Sequence, residues 1–261
     1  MQLQQLDPLH QEDIKNEAHP SIFFNAENYD LAIYRLFENV EQPLSVVSHA
    51  FVFDRSENVY RYDRVNQSLV QIDGYVGLYG VLDDLVDKSM RKVDQLTLKV
   101  EDLEESLYET LSAIKGWFEI KKELVRMERI LAQAIKAHEI FIENMESLNI
   151  DSKLYAAFED IEEHLNRIYR ACGMNLAKLD SIYNLYTTLA NEKMNSTIYT
   201  LTVISAIFLP LNLLVGFFGM NTEGLYFSGN PNGTMMVTSL LGILFVVFFA
   251  YIKYKKICFR A

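Results

Sequence analysis

Residues 195–221 read NSTIYTLTVISAIFLPLNLLVGFFGMN, a stretch without one charged side chain, with Lys193 just before it and Glu223 just after. A helix rises 1.5 Å per residue, so about 20 apolar residues cross the hydrocarbon core of a bilayer. A second uncharged run, residues 234–252, follows after a short polar loop. Two spans joined this way make a membrane hairpin. The mean hydropathy of +0.02 therefore averages two unlike parts. Residues 1–193 have the composition of a charged soluble protein, and residues 194–261 that of a membrane segment.

The net charge of −11 comes from the soluble part. It argues against nucleic acid as a partner and suits a cation-handling surface, although solvated helix faces account for such charge equally well. Two cysteines, Cys172 and Cys258, are too few for a disulfide framework or a metal knuckle. The polar, acidic start is no cleavable signal peptide, so the hairpin is expected to direct insertion. Lys253, Lys255, Lys256 and Arg260 follow the second span, while the loop at 222–233 has neither Lys nor Arg. The positive-inside rule then puts both termini in the cytoplasm and the loop outside. Tyr199, Tyr226, Phe227, Tyr251 and Tyr254 fall where interfacial aromatics anchor span ends. The expectation is an integral, multi-pass protein of the plasma (bacterial inner) membrane, surrounded by lipid, with a reduced cytoplasmic part.

Residues 1–20 read as a loose polar lead. β-prone pieces come next at 21–24, 44–53, 58–62 and 68–72, with turns at 54–57 and 63–66. Residues 27–37, apolar at Leu31, Ile33, Tyr34, Leu36 and Phe37, read as a short helix. The result is a small α+β domain over 1–73, near the size where a core is marginal alone and so expected to pack on the segments after it. Apolar steps of three and four from Leu82 to Leu107 and from Leu124 to Ile142 predict paired acidic helices over 74–150, broken near Gly116. Asp151 or Ser152 is a plausible N-cap. A stalk helix over 151–195 then continues into the first span, 196–220. An outer loop at 221–233, the second span at 234–253 and a basic tail at 254–261 complete the chain. The fold class is thus a mostly α membrane protein with a small N-terminal cytoplasmic α+β domain and two C-terminal transmembrane helices, the first continuing a long stalk.

The first span, the tripeptide Gly219-Met220-Asn221 behind it and the two-span ending resemble the CorA family of divalent-cation transport proteins, whose magnesium/cobalt and zinc-type (ZntB-like) branches share one scaffold. Leu82-Asp83-Asp84-Leu85-Val86-Asp87 resembles its paired helices. Glu159-Asp160-Ile161-Glu162-Glu163-His164 resembles the start of its stalk. Gly173-Met174-Asn175 repeats the tripeptide inside an amphipathic stretch with no span before it, and reads as ordinary packing. The resemblance implies a homopentamer importing divalent cations, most often magnesium, down the electrochemical gradient through a pore lined by the first spans. It implies ion selectivity at Gly219, Met220 and Asn221, and no catalytic cofactor. The cation is substrate and, bridging carboxylates such as Asp160 between subunits, regulator. The partner carboxylate stays open, with Asp83 and Asp84 as options.

Sorted by helical face, Asn195, Ile198, Leu201, Ser205, Leu209, Asn212, Gly216 and Gly219 share one stripe. Its polar and glycine positions suit a water-filled path, or alternatively contacts between helices. No carboxylate lies in either span, so a hydrated magnesium ion meeting neutral amides is favoured over a dehydrated cage. Glu223 stands at the outer mouth. After the tripeptide, Thr222-Glu223-Gly224 matches neither branch fully, and the soluble domain is shorter than usual for the family. Two other readings remain: a zinc or other transition-metal transporter on the same scaffold, which the lack of His or Cys in the spans and outer loop disfavours, and a membrane-anchored coiled-coil scaffold. Five scattered histidines without nucleophile or metal spacing do not suggest an enzyme.

Overall fold

The computed structural model describes residues 1–39, 45–109, 116–145, 150–219 and 231–258. It divides into two compact units, residues 1–186 and 187–261.

The first unit is built on an antiparallel meander, β1 (Ile22–Asn25), β2 (Tyr29–Asn39), β3 (Ser45–Asp54), β4 (Val59–Asp63) and β5 (Ser68–Gln71), paired in sequence order. Aspartates set its tight turns. Asp54 accepts from the N–H groups of Ser56 and Asn58 at 2.8 and 2.9 Å, and Asp63 accepts from Val65 N–H at 2.9 Å. Such side-chain contacts imitate a backbone turn and make a short hairpin loop favourable. The strands expected at 21–24, 44–53, 58–62 and 68–72 all appear within a residue or so of those bounds.

Two sequence expectations are corrected. Residues 27–37 are not a helix but most of β2. Leu31 and Ile33 belong to one core while Ala32, Tyr34 and Leu36 belong to another, so both faces of β2 are buried. A strand covered on both sides loses its alternation, and a continuous apolar run reads at either period. Residues 1–20 are not a loose lead either. A 3-10 turn at Leu3–Gln5 is followed by α1 (Pro8–Lys15), where Asp7 caps Leu9 N–H at 2.9 Å and Pro8 supplies a preset first turn. Leu3, Leu6 and Ile14 are buried against Leu31, Ile33 and Val52 on that side of the sheet.

On the other side lie α2 (Gly74–Glu109), α3 (Trp117–Met145) and the first part of α4 (Ser152–Phe218). Leu82, Leu131 and Phe158 close one core with Tyr34, Phe51 and Phe53, so the small sheet does pack on the helices after it. Each such side chain, fully buried, contributes about 1.5–3 kcal/mol. Asp151 Oδ1 accepts from Lys153 N–H at the start of α4, as the capping signal suggested.

Polar contacts inside this core fix which elements meet. His138 Nε2 lies 2.9 Å from the Phe158 carbonyl and its Nδ1 lies 3.0 Å from the Tyr34 hydroxyl, joining α3 to α4 and β2. A carbonyl only accepts, so Nε2 carries the proton and Nδ1 accepts from Tyr34. Burial pushes this imidazole down to about 4, and it stays neutral at pH 7. Lys92 on α2 is 2% exposed and sits 3.0 Å from Glu123 on α3. Trp117 Nε1 donates to the Leu179 carbonyl at 2.9 Å. Asn175, from the second copy of the tripeptide, is buried and donates to Thr97 Oγ1 at 2.8 Å, while Met174 is exposed. That copy ties α4 to α2, in keeping with the packing reading.

The second unit holds the remainder of α4, then α5 (Gly233–Cys258).

Candidate ion path and flanking carboxylates

In the second unit α4 runs on without interruption to Phe218, through Pro210. Proline removes one N–H from the helical ladder, a loss that helices at membrane depth tolerate. The hydroxyls of Thr197, Thr200 and Thr202 donate to the carbonyls four residues back, at 3.0, 2.9 and 2.8 Å. They leave no unsatisfied donor, which suits a helix entering hydrocarbon. An 18-residue window of α4 has a mean hydropathy of 2.2 and no residue buried. Among the described residues it is the one helix long and apolar enough to cross a membrane, and Met235–Val247 of α5 forms a shorter apolar stretch.

Coverage of α4 within this unit is one-sided. Val203, Ile207, Leu211, Leu214 and Phe218 are partly covered, at steps of three and four. Of the predicted stripe, Asn195, Ile198, Leu201, Leu209, Asn212 and Gly216 are exposed, and Ser205 is half-buried. A stripe of this kind is free to meet another chain, lipid or water. Gly219 follows the helix end, its N–H donating to the Val215 carbonyl at 2.9 Å. A Cβ added there would stand 3.0 Å from that carbonyl oxygen, tighter than most real contacts. Glycine thus allows the helix to close its last turn. Met220, Asn221 and Glu223, and the aromatics Tyr226 and Phe227, lie outside the described residues, as do the side chains of Tyr251 and Tyr254.

Asp160 is exposed and lies 3.7 Å from His164 Nε2, one turn on. Across from it on α2, Tyr79 packs edge-on against Phe158 of α4, with ring centroids 6.0 Å apart. Burial raises the Tyr79 phenol, and the charges of Asp83, Asp160 and Asp87 raise it further. The charges of Asp83 and Asp160 thus both reach Tyr79, whereas Asp84 is paired with Lys88. Glu162 is raised by burial and by the charges of Glu139 and Glu159. Among the described residues no three of these acids converge as one metal-binding group. Tyr79 and Glu139 are the members that sequence reasoning missed. Tyr79 stands one helical turn before Asp83, a spacing that offered a signal.

The profile of a family described as "CorA-like Mg2+ transporter protein" matches residues 57–256. The cobalt/magnesium transport protein CorA of Thermotoga maritima is 24% identical over 272 residues, covering 96% of this chain and 76% of that protein. The zinc transport protein ZntB of Yersinia pseudotuberculosis is 25% identical over 211 residues, covering 78% of this chain and 64% of that protein. Among solved structures, the CorA magnesium transporter of Methanocaldococcus jannaschii superposes with a TM-score of 0.79 at 19% identity, over 95% of this chain and 83% of its own. That likeness extends the shared fold over the sheet, the paired helices and the long helix.

Proposed function

The chain belongs to the CorA-like Mg2+ transporter family, and we propose that five copies form a channel-like pore importing hydrated magnesium down its electrochemical gradient. The observation that carries this reading is α4 itself, whose apolar window has no residue buried within its own chain. So large an apolar surface is stable only against lipid or sister helices. The stripe of Asn195, Ile198, Leu201, Ser205, Leu209, Asn212 and Gly216 then faces the axis. The second span, nearly all aliphatic and aromatic, faces lipid.

In this reading Asn221 of each chain offers an amide oxygen to the water shell of the ion, which magnesium sheds reluctantly. Gly219 lets the helix end tightly beneath that ring, Met220 packs the turn, and Glu223 attracts cations to the mouth. Ile198, Leu201 and Leu209 form apolar constrictions that close by excluding water. A divalent ion gains roughly 4.6 kcal/mol per 100 mV on entering a negative interior, so conduction needs no coupled chemistry. Closure is the controlled step. Asp160, exposed on the stalk helix, is suited to share a cation with a neighbouring subunit. Both termini lie in the cytoplasm.

Flux into liposomes of magnesium, cobalt, nickel and zinc, with the oligomeric mass in detergent, tests the reading. Magnesium flux through a pentamer is expected. Preference for zinc would place the chain with its ZntB relatives. Particles of one or two chains without flux would leave the membrane-anchored scaffold.

A further inference from the structure

Lys122, Arg126, Arg129, Gln133 and Lys136 recur along α3 at steps of four and three, so they form one stripe, and all are exposed. The chain carries a net charge of −11, yet none of these four cations meets an acid among the described residues. The ion pairs of α3 use other side chains, Glu123 with Lys92 and Lys121 with Asp180. Phe118, 64% exposed, extends the stripe by one turn. On α2, exposed Asp84, Asp87 and Asp94 form a second stripe, extended by Leu98 at 60% exposure. Asp84 and Asp87 have surface partners only within their own helix, Lys88 and Arg91, and such pairs are weak.

The two stripes lie on opposite flanks of the first unit. α2 packs over β2 and β4, and α3 over β1 and β2. The Lys92–Glu123 contact joins the two helices, and Phe158 of α4 touches both, at Tyr79 and at His138. Sheet, α4 and sister helix therefore cover each of them, and the open flank is the one turned away from the sister. Levels along the helices also correspond. α2 runs parallel to α4, meeting it at Tyr79–Phe158 and Thr97–Asn175. α3 runs antiparallel, meeting it at His138–Phe158 and Trp117–Leu179. Counting in opposite directions from Lys92 and Glu123 puts Phe118 level with Leu98, Lys122 with Asp94 and Arg129 with Asp87, each to within about one residue.

We infer that the basic stripe of α3 docks on the acidic stripe of α2 in a second copy of this chain, so that the helix pairs close a ring. Two different but complementary faces on one chain make a head-to-tail contact, the kind that closes into rings. Rotation about an axis along the helices keeps every residue at its own level in the next copy. Lys122 then reaches Asp94, Arg129 reaches Asp87, Arg126 falls between those two acids, and Phe118 covers Leu98. Arg91, a like charge in the acidic stripe, leans on Asp87 at 4.0 Å. Single exposed ion pairs contribute little, so the contact depends on the row of charges and the apolar pair together. The inference rests on the pentameric reading.

Carbodiimide treatment of the full-length protein in detergent tests this, because the reagent joins a lysine to a carboxylate only where the two touch. Denaturing gels should show a ladder up to the pentamer, and peptide mapping of bands above the monomer should find Lys122 joined to Asp94. Arg126→Glu with Arg129→Glu should cut that product at least about fivefold. Adding Asp84→Arg and Asp87→Arg should restore it, which simple misfolding would not allow. All four positions are exposed, so the core is spared. Oligomeric mass in the same detergent separates this inference from the reading beneath it. A pentamer in which the Lys122–Asp94 product is absent, lies within one chain, or ignores the charge reversals would overturn the contact and leave the pore. Loss of the product on adding phosphatidylglycerol but not phosphatidylcholine would assign the basic stripe to lipid and overturn it equally. Particles of one or two chains would remove ring and contact together.

Discussion

Acidification should loosen the first unit through His138. The imidazole is fully buried and held down to about 4, against 6.5 when free, because its charged form would lose water and meet Tyr34 with a second N–H. Below 6.5 the unfolded chain takes up a proton that the folded chain refuses. The stability supplied by the neutral ring is therefore complete above 6.5 and drains away as pH falls toward 4. Over the whole interval the loss is about 3 kcal/mol, and between pH 7 and pH 5 it is about 2 kcal/mol. His138→Gln keeps a donor for Phe158 and an acceptor for Tyr34 but cannot titrate. Urea unfolding of both proteins, read from the single tryptophan, Trp117, isolates the effect. Other groups, His49 included, are common to the two and cancel. The gap in stability between wild type and variant should shrink by about 2 kcal/mol from pH 7 to pH 5. A gap that stays constant would refute the assignment.

Other expectations rest on the same contacts. Glu123→Ala leaves the Lys92 ammonium buried without its partner and should cost about 3–5 kcal/mol in urea unfolding, whereas replacing both by apolar residues of similar volume should recover most of that. Asn175→Ala removes the donor to Thr97, whose hydroxyl keeps its bond to the Val93 carbonyl, and should cost about 0.5–1.5 kcal/mol while cation flux through intact protein is unchanged, separating the inner tripeptide from the outer one. Asn221→Ala should abolish magnesium selectivity in liposome flux without changing oligomeric mass; undiminished, selective flux would move the filter elsewhere. Gly219→Ala, forced against the Val215 carbonyl, should lower flux, and wild-type flux would show that the last turn yields freely.

Sequence periodicity was informative wherever one face of an element meets the core. Leu124, Met127, Leu131 and Ile142 are buried along α3 as their spacing requires, and the aspartate-led turns at 54 and 63 set the β3–β4 and β4–β5 hairpins. It failed where burial is two-sided or where a polar segment hides three anchors. β2 read as a helix for the first reason. Leu3, Leu6 and Ile14 were overlooked for the second, although Asp7-Pro8 is an ordinary helix start. At the candidate site, the uncharged run and its glycine end were legible because hydrocarbon imposes a length. That the charges of Asp83 and Asp160 both reach Tyr79 was not, because nothing local to either helix records which turn of its neighbour it will face.

The double coverage of β2 bears on how faithfully the sheet assembles. If the strand were threaded one residue out of step, Leu31 and Ile33 would exchange places with Ala32 and Tyr34, and both sides would still be greasy. Oil-and-water sorting hardly distinguishes the two alignments. The mistake would instead be penalised by the Tyr34 hydroxyl, which would swing away from His138 and strand the ring nitrogen in the dark. One phenol–imidazole contact thus acts as the proofreading mark of a strand whose greasy pattern would accept a misprint.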